Sequence, residues 1–371
     1  FRGFQTLNAI NAAEARVRAG RETLRSTEQS VLLEAVTAFM NVVRDGAIVR
    51  LRENNVRVLS RNLKATQDRF AVGEVTRTDV AQSTARRAGA VSDLDLARAN
   101  LKTSRANFEQ VIGRKPGRLV EPKPPYDEMP KSLPLVQQRA ETEFPDVVAA
   151  LYNEQAARYD VDQITGELLP RFEIDASYDN SYRGGYDSRT VRTETGIVTG
   201  TLSVPFYQRG LVSSRVRQAK HLHVRTMQLI EDARTLAREN AISSWARFTS
   251  SQAQVKSAQA QVEANQIALS GVQEEEKVGQ RTLLDVLDAE QELLDAQVDL
   301  VTNRRDVVVS AYAVISATGR LTALDLNLSS TIYDPEAHYK TVRRKWFGIS
   351  ITHSDGREEH INVDDRKQPH N

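Results

Sequence analysis

Two aspartates in the last third of the chain have the residue type and the spacing to do chemistry. Asp285 and Asp288 lie three positions apart, so on a helix they share one face. Thr282 precedes Asp285 by three residues, and Thr76 precedes Asp79 by the same distance. The Thr-x-x-Asp pattern is typical of a capping box, and an acidic residue is favourable at a helix N-terminus. From spacing alone, we therefore predict capping as the main role of Asp285.

The residue types that usually catalyse reactions or bind metals are poorly placed. The chain has no cysteine, which excludes disulfides, thiolate metal sites and a cysteine nucleophile. His221 and His223 are two positions apart, so on a helix they point about 200° apart and not at one metal. The sequence has no phosphate-binding loop, no dinucleotide glycine fingerprint and no nucleophile elbow. We therefore predict no catalytic residue, no metal site and no cofactor, and the chain is not expected to be an enzyme.

Composition excludes further classes and points to long helices. The 371 residues carry 50 Lys and Arg against 49 Asp and Glu, a net charge of +1, which does not suggest a nucleic-acid binder. No apolar run is long enough for a transmembrane helix. Prolines are absent from 1–115 and from 206–334. Because a helix interior excludes proline, these two windows predict two long helical blocks.

Apolar residues recur every seven positions in both windows, which is the pattern of a coiled-coil seam. The seam residues of the first window are Val42, Val49, Val56, Leu63 and Phe70, then Leu94, Leu101 and Phe108. Those of the second are Phe248, Val255, Val262 and Leu269, then Leu287, Leu294, Val301, Val308 and Ile315. We predict long helices over about 6–71 and 212–277, each roughly 100 Å long at about 1.5 Å per residue, which implies an elongated assembly.

The two windows are copies of one unit. Glycine, threonine and aspartate recur with a constant offset of 206 positions, in the pairs Gly73 and Gly279, Thr76 and Thr282, and Asp79 and Asp285. The shorter helices that follow end in the same style, at Gly113 and Gly319. The chain is therefore an internal duplication of a long helix, a tight turn and a shorter returning helix.

A β-hairpin is predicted between the two copies, after a proline-rich connector and two short helices. Glu173, Asp175, Ser177 and Asp179 alternate with apolar residues, and alternation resumes from Val198 to Phe206. The strand length matches that of a membrane-spanning strand, and tyrosines and phenylalanines cluster at the ends as in an interfacial girdle. The pattern alone favours a half-solvated hairpin in a soluble domain. The tail after Ser350 is polar and predicted to be disordered.

The chain resembles the TolC family of trimeric outer-membrane channels, which serve efflux pumps and type I secretion. The resemblance covers about 1–334 and rests on the duplicated helix pair, the hairpin and the string Val278-Gly279-Gln280-Arg281-Thr282-Leu283-Leu284-Asp285-Val286-Leu287-Asp288-Ala289. It implies a mainly α fold with a β-hairpin. Long antiparallel coiled-coil helices would form an α-barrel in the periplasm, and the strands would contribute to a trimeric transmembrane β-barrel.

The expected organisation is six segments. They are a first repeat at 1–118 without its strand pair, a connector at 119–136, short helices at 137–170, an outer-membrane hairpin at 171–207, a second repeat at 208–330, and a largely disordered tail at 331–371. Relative to the family, the resemblance predicts that a signal peptide, a first helix and a first hairpin lie outside this chain. The implied partners are two further copies of the chain, outer-membrane lipid, a periplasmic adaptor and, indirectly, an inner-membrane pump of the RND or ABC type.

The resemblance also implies site residues. Asp285 and Asp288 would form carboxylate rings at a narrow periplasmic aperture. Arg281, Thr78 and Asp79 match positions that latch the tip shut, and Glu276 stands where some members have a tyrosine, so that Glu276 could instead contact arginines. From its residues alone, Arg281 is equally well a solvated charge at a helix end. The remaining implied roles are tip turns and adaptor contact for Gly73, Gly279, Arg77 and Lys277, and the barrel lumen for Glu173, Asp175, Ser177 and Asp179.

Two functions are therefore open from the sequence. The first is a passive conduit across the periplasm and the outer membrane, gated at the periplasmic tip. The alternative is a soluble coiled-coil scaffold or adaptor, or a non-functional remnant. The sequence does not name the exported substrate, and it does not separate drug efflux from protein secretion.

Overall fold

A computed structural model describes residues 1–183, 191–328, 334–343, 345, 350–352 and 357–359. Its helices are α1 (Gln5–Ala71), α2 (Arg77–Ile112), α3 (Leu133–Glu143), α4 (Pro145–Thr165), α5 (Leu211–Lys277), α6 (Leu283–Ala317) and α7 (Pro335–Arg343). Its strands are β1 (Arg171–Arg183), β2 (Val191–Ser203), β3 (Ile351–Thr352) and β4 (Glu358–Glu359). The prediction of a mainly α fold with one β-hairpin between two long helix pairs is confirmed.

The two long helices match the bounds predicted for them closely. α1 and α5 each contain 67 residues, and each begins one residue before its expected start. α3 begins at Leu133, before the segment 137–170 in which the short helices were expected, and Pro134 occupies its first turn. A proline is favourable there, since the amide it lacks would have no partner within the helix. α4 likewise begins on a proline, Pro145.

The chain divides into two compact units. Unit 1 contains residues 1–27, 126–253 and 317–319, and unit 2 contains residues 28–125, 254–316 and 320–371. Unit 1 therefore holds α3, α4, the β1–β2 hairpin and the hairpin-proximal parts of α1 and α5. Unit 2 holds α2, most of α6 and the distal parts of α1 and α5. It also holds the two tight turns that follow α1 and α5.

In unit 1, two glycines lie against the backbone of another segment. Gly319 ends α6 with a φ of 76°, and a Cβ placed on it would lie 2.6 Å from the carbonyl oxygen of Glu143. A Cβ on Gly3 would lie 2.2 Å from the carbonyl oxygen of Gly166. Only glycine permits both the left-handed backbone and such contacts. Arg25 also donates to the Gly319 carbonyl at 2.7 Å.

Many residues of the heptad seams lie in the interior of unit 2, whereas Phe70, the last seam residue of α1, is 46% exposed. Val42 and Val49 of α1 are buried, and so are Leu94 and Phe108 of α2. They form successive clusters along the antiparallel helix pair, in which Val42 packs with Phe108 and Val49 packs with Leu94. A third cluster joins Leu59, Ala90 and Leu287, so the second repeat contributes to the same interior.

The β1–β2 hairpin has the two chemically distinct faces that alternation predicted. Residues directly opposite share a face, and the register pairs Glu173 with Thr201, Asp175 with Thr199 and Asp179 with Thr195. The other face carries Phe172, Ile174 and Tyr178 opposite Leu202, Gly200 and Gly196. Both faces are exposed in this chain, and Ile174 is 65% accessible.

The second strand lies earlier in the sequence than its apolar alternation suggested. β2 runs from Val191 to Ser203, so Val204 and Phe206 lie beyond it. Pro205 explains the difference, because it has no amide to donate to the neighbouring strand. The turn-rich segment with Tyr186 lies outside the described residues.

In the tail, the structure describes a short helix, α7, and the two-residue strands β3 and β4 within the segment expected to be largely disordered. Most of that segment, including Tyr333, Trp346 and the last residues, lies outside the described residues. Within the described part of the chain, no helix has the length and apolar character needed to cross a membrane.

Candidate functional site

The two tight turns of unit 2 have the same backbone hydrogen bonds. After α1, the amide of Gly73 donates to Phe70 and that of Glu74 donates to Arg69, both at 3.0 Å. After α5, the amides of Gly279 and Gln280 donate to Glu276 and Glu275, both at 2.9 Å. This pair of bonds is the Schellman motif, which needs a left-handed residue at the glycine position. Gly73 and Gly279 have φ values of 82° and 77°.

The helices that leave these turns begin with equivalent capping boxes. Asp79 accepts from the amide of Thr76 at 2.8 Å, and its own amide donates to the Thr76 hydroxyl at 3.3 Å. Asp285 accepts from the amide of Thr282 at 2.9 Å and donates in return at 3.3 Å. The hydrogen bonds from Thr282 lower the pKa of Asp285. The capping role predicted from spacing is present in both repeats.

Loss of one cap should destabilise unit 2 measurably. We expect Thr282→Ala to lower the free energy of unfolding by about 1 kcal/mol, because the amide of Asp285 at the start of α6 loses its acceptor and the Asp285 carboxylate loses the hydroxyl donor. The measurement is denaturant unfolding followed by circular dichroism. Thr282→Ser is the control, since it keeps the hydroxyl and should lose far less. Equal losses in the alanine and serine variants would show that the methyl group, and not the cap, is responsible.

The predicted latch residues are not joined to each other within the single chain. Arg281 donates from Nε to Glu275 at 2.9 Å, and this contact raises the pKa of Arg281. Within the described residues of this chain, no hydrogen bond or ion pair connects Arg281 with Thr78 or Asp79. Thr78 lies in the first turn of α2, next to Asp79 in its cap. A link between Arg281 and these residues can therefore only come from a rearrangement or from another copy.

Two other ion pairs connect the two repeats near the tight turns that contain Gly73 and Gly279, the end of unit 2 that is called the tip below. Arg69 in the last turn of α1 donates to Glu276 of α5 at 2.9 Å. Arg86 of α2 forms an ion pair with Asp288 of α6. Glu276 therefore contacts an arginine, as the sequence suggested for the position of the missing tyrosine. Arg69 and Arg86 themselves were not singled out from the sequence; the available signal was their positive charge near each predicted turn.

The remaining tip residues lie on the surface of the turns. Lys277, the last residue of α5, donates to Glu274 at 2.6 Å. Arg77 is the first residue of α2 and is exposed. Together with Gly73 and Gly279, these side chains form an accessible, polar end of the helical hairpins.

A carboxylate lies just behind the tip, beside the cluster of Leu59, Ala90 and Leu287. Asn62 of α1 donates from Nδ2 to both carboxylate oxygens of Glu290, at 3.1 Å each. Burial raises the pKa of Glu290, and the Asn62 bond opposes that rise. Compared with the unfolded chain, the native state therefore shifts the equilibrium of Glu290 towards its protonated form.

Neutralising this carboxylate should stabilise unit 2 at neutral pH. Because the native pKa of Glu290 is raised, stability is lost as pH rises through that pKa and the carboxyl ionises. We expect Glu290→Gln to raise the unfolding free energy at pH 7.5 by less than about 1 kcal/mol, since glutamine keeps an acceptor for Asn62. The gain should vanish at about pH 3.5, where the wild-type carboxyl is protonated. A destabilised variant at pH 7.5 would contradict the assignment, with Glu290→Asp as the control that keeps the charge.

The family model for outer membrane efflux proteins matches residues 1–114 and 136–320. The chain is 38% identical over 353 residues to the outer membrane efflux protein BepC of Brucella suis, covering 94% of this chain and 76% of that protein. It is 26% identical to the outer membrane protein TolC of Escherichia coli over 82% of this chain and 64% of TolC.

The fold itself has a close counterpart among solved structures. The CmeC outer membrane channel of Campylobacter jejuni superimposes with a TM-score of 0.74, at 17% identity, over 92% of this chain and 72% of CmeC. The duplicated hairpins, their matching turns and the family match agree on one conclusion. This chain belongs to the family of outer membrane efflux proteins.

Proposed function

We propose that this chain is one protomer of a homotrimeric conduit that exports solutes passively across the periplasm and the outer membrane, with a gate at the tips of its helical hairpins. Membership of the family already makes it an outer-membrane transport protein and not an enzyme. The observation that carries the proposed gate is the pair of ion pairs, Arg69 with Glu276 and Arg86 with Asp288, that hold the two repeats together at the tip.

Trimer formation is supported by two apolar stripes on unit 1. Ile10, Val17 and Leu24 of α1 are seven residues apart, and each is at least 42% exposed. Leu222, Leu229 and Leu236 of α5 have the same spacing and are at least 46% exposed. Exposed apolar residues spaced seven positions apart on a helix are the pattern that packs against a partner helix. Two different stripes fit a ring in which the α1 stripe of one protomer packs against the α5 stripe of the next.

The tip contacts suit a gate that opens without a large energy input. Each exposed ion pair contributes about 1 kcal/mol or less. Three protomers multiply these pairs, so the closed state is held by many weak links. In this proposal Arg281, Thr78 and Asp79 add contacts between neighbouring protomers. Such links yield when a partner binds the open state more tightly.

The carboxylates at the tip suit a cation-selective aperture. Asp288 is exposed beside Arg86, and Asp285 is held in its cap one helical turn away. Three copies would place six carboxylates around the opening. Rings of this kind favour cations and bind multivalent ones.

The family's channels are trimeric and act with adaptor proteins and inner-membrane pumps. For this chain, we assign the contact zone of a periplasmic adaptor to the turns with Gly73, Gly279, Arg77 and Lys277. We assign the apolar face of the hairpin to outer-membrane lipid. The opposite face, with Glu173, Asp175, Ser177 and Asp179, would line the pore.

Electrical recording tests the proposed function. The protein purified from outer membranes is reconstituted into planar bilayers, and we expect discrete channels with a preference for cations. The double variant Asp285→Ala, Asp288→Ala should lose part of that preference and the block by multivalent cations. Protein that fractionates as soluble and forms no channels would favour the scaffold function. Channels with unchanged selectivity in the double variant would leave the conduit in place and remove the aperture assignment.

A further inference from the structure

A cleft of about 310 Å³ in unit 2 is lined by a concentration of arginines that the conduit function does not use. Four segments meet around it: α1, α2, the stretch 116–121 that follows α2, and α6. They contribute six guanidinium groups, from Arg44, Arg50, Arg105, Arg118, Arg304 and Arg305. Of the described residues, Glu121 contributes the single carboxylate in the lining.

Among the described residues, two of these six arginines have a hydrogen-bonded partner and four do not. Arg44 donates to Asp45 at 2.8 Å, and Arg305 donates to Asn41 and to Asp306. Within the described part of the chain, the other four make no hydrogen bond and no ion pair.

Several arginines elsewhere in unit 2 are paired with carboxylates. Arg52 contacts Asp93 and Arg98 contacts Glu53, at 3.0 and 2.9 Å. The chain as a whole has nearly as many acidic as basic residues. The scarcity of carboxylates around this cleft is therefore a local arrangement, not a result of composition.

Apolar contacts position the segments that carry the arginines of the cleft. Leu119 packs against the buried cluster of Val42 and Phe108, which anchors the segment that carries Arg118. Val42 and Leu101 form part of an apolar floor between the guanidinium groups. Apolar walls lower the local dielectric constant and strengthen charge interactions. The volume lies at the lower end of the range for small-molecule sites.

We propose that this cleft binds a small anion carrying two or more phosphate or carboxylate groups. Guanidinium groups bind both kinds of oxyanion through paired, charge-assisted hydrogen bonds. Several arginines on separate segments match an anion with several charged groups better than a monovalent ion. Bound there, the anion would tie α1, α6 and the 116–121 segment together and stabilise unit 2.

Calorimetry and thermal unfolding of the purified full chain test this site with pyrophosphate and with citrate. We expect saturable binding and a rise of the melting temperature by about 3 °C or more at saturation, because a ligand that binds only the native state stabilises it. Sodium chloride at matched ionic strength should have no saturable effect. Binding of pyrophosphate alone would assign the site to phosphates, and binding of citrate alone to carboxylates.

Paired variants separate the cleft from general charge effects. Arg50→Gln with Arg118→Gln should weaken binding at least tenfold. The control pair, Arg57→Gln with Arg61→Gln, removes two exposed charges of α1 outside the cleft and should leave binding unchanged. Equal loss in both pairs, or no saturable binding by the wild type, would overturn the proposal.

A measurement on the wild type covers the case in which the variants fail to fold. Phenylglyoxal modifies accessible arginines, and mass spectrometry reports each site. Pyrophosphate should protect Arg50 and Arg118 but not Arg57. If these arginines are instead protected by trimer assembly without any anion, the cleft is a contact between copies and the proposal is wrong.

Discussion

Replacement of Leu229 by glutamate is expected to convert the proposed trimer into monomers. Leu229 is the middle residue of the exposed α5 stripe, with Leu222 and Leu236 one heptad away on either side. Burying such a leucine against a partner contributes about 1.5–3 kcal/mol, and an unpaired carboxylate in the same place costs several kcal/mol more. In the proposed ring the change would lie in all three interfaces, so its effect on assembly would be multiplied.

Light scattering of the detergent-solubilised protein gives the oligomeric state directly. Leu229→Met is the first control, because methionine keeps the apolar contact and should keep the trimer. Gln228→Glu is the second, since it places the same charge one residue away, about 100° around the helix. A trimer that persists in Leu229→Glu would show that the α5 stripe faces something other than a neighbouring copy.

The helices were predictable from the sequence because two independent constraints agree on them. Proline exclusion marks where a helix can continue, and the heptad spacing of Val42, Val49, Leu94 and Phe108 marks which side is buried. The turns were predictable for a local reason, since the left-handed residue of a Schellman motif requires a glycine such as Gly73. Each of these features depends on residues close together in sequence.

The contacts between the repeats were harder to predict because they depend on the relative rotation and register of two helices. Periodicity cannot specify that Arg69 meets Glu276 or that Arg86 meets Asp288. The family pattern drew attention to Arg281 instead, which pairs with its near neighbour Glu275 in the single chain. The arginine cleft was hard to predict for the same reason, since it forms where four segments from distant parts of the sequence meet.

The tip ion pairs lead to the second large expected effect. In the double variant Arg69→Ser, Arg86→Ser, we expect the closed gate to lose its links between the two repeats. Each pair contributes roughly 0.2–1 kcal/mol because its two side chains remain partly accessible to water. Six pairs in a trimer together contribute a few kcal/mol, and about 1.4 kcal/mol corresponds to a tenfold change in the open population. Single-channel conductance should therefore rise, and cells should become permeable to large antibiotics.

A charge swap distinguishes a broken link from a general loss of positive charge. Arg69→Glu alone should open the gate, because it places two carboxylates side by side at the junction of α1 and α5. Adding Glu276→Arg restores an ion pair of reversed polarity and should return conductance towards the wild-type value. If the swap does not restore closure, or if Arg281→Ser alone opens a gate that the double variant leaves shut, then contacts between neighbouring protomers hold the tip. In that case the ion pairs within the chain only align the helices.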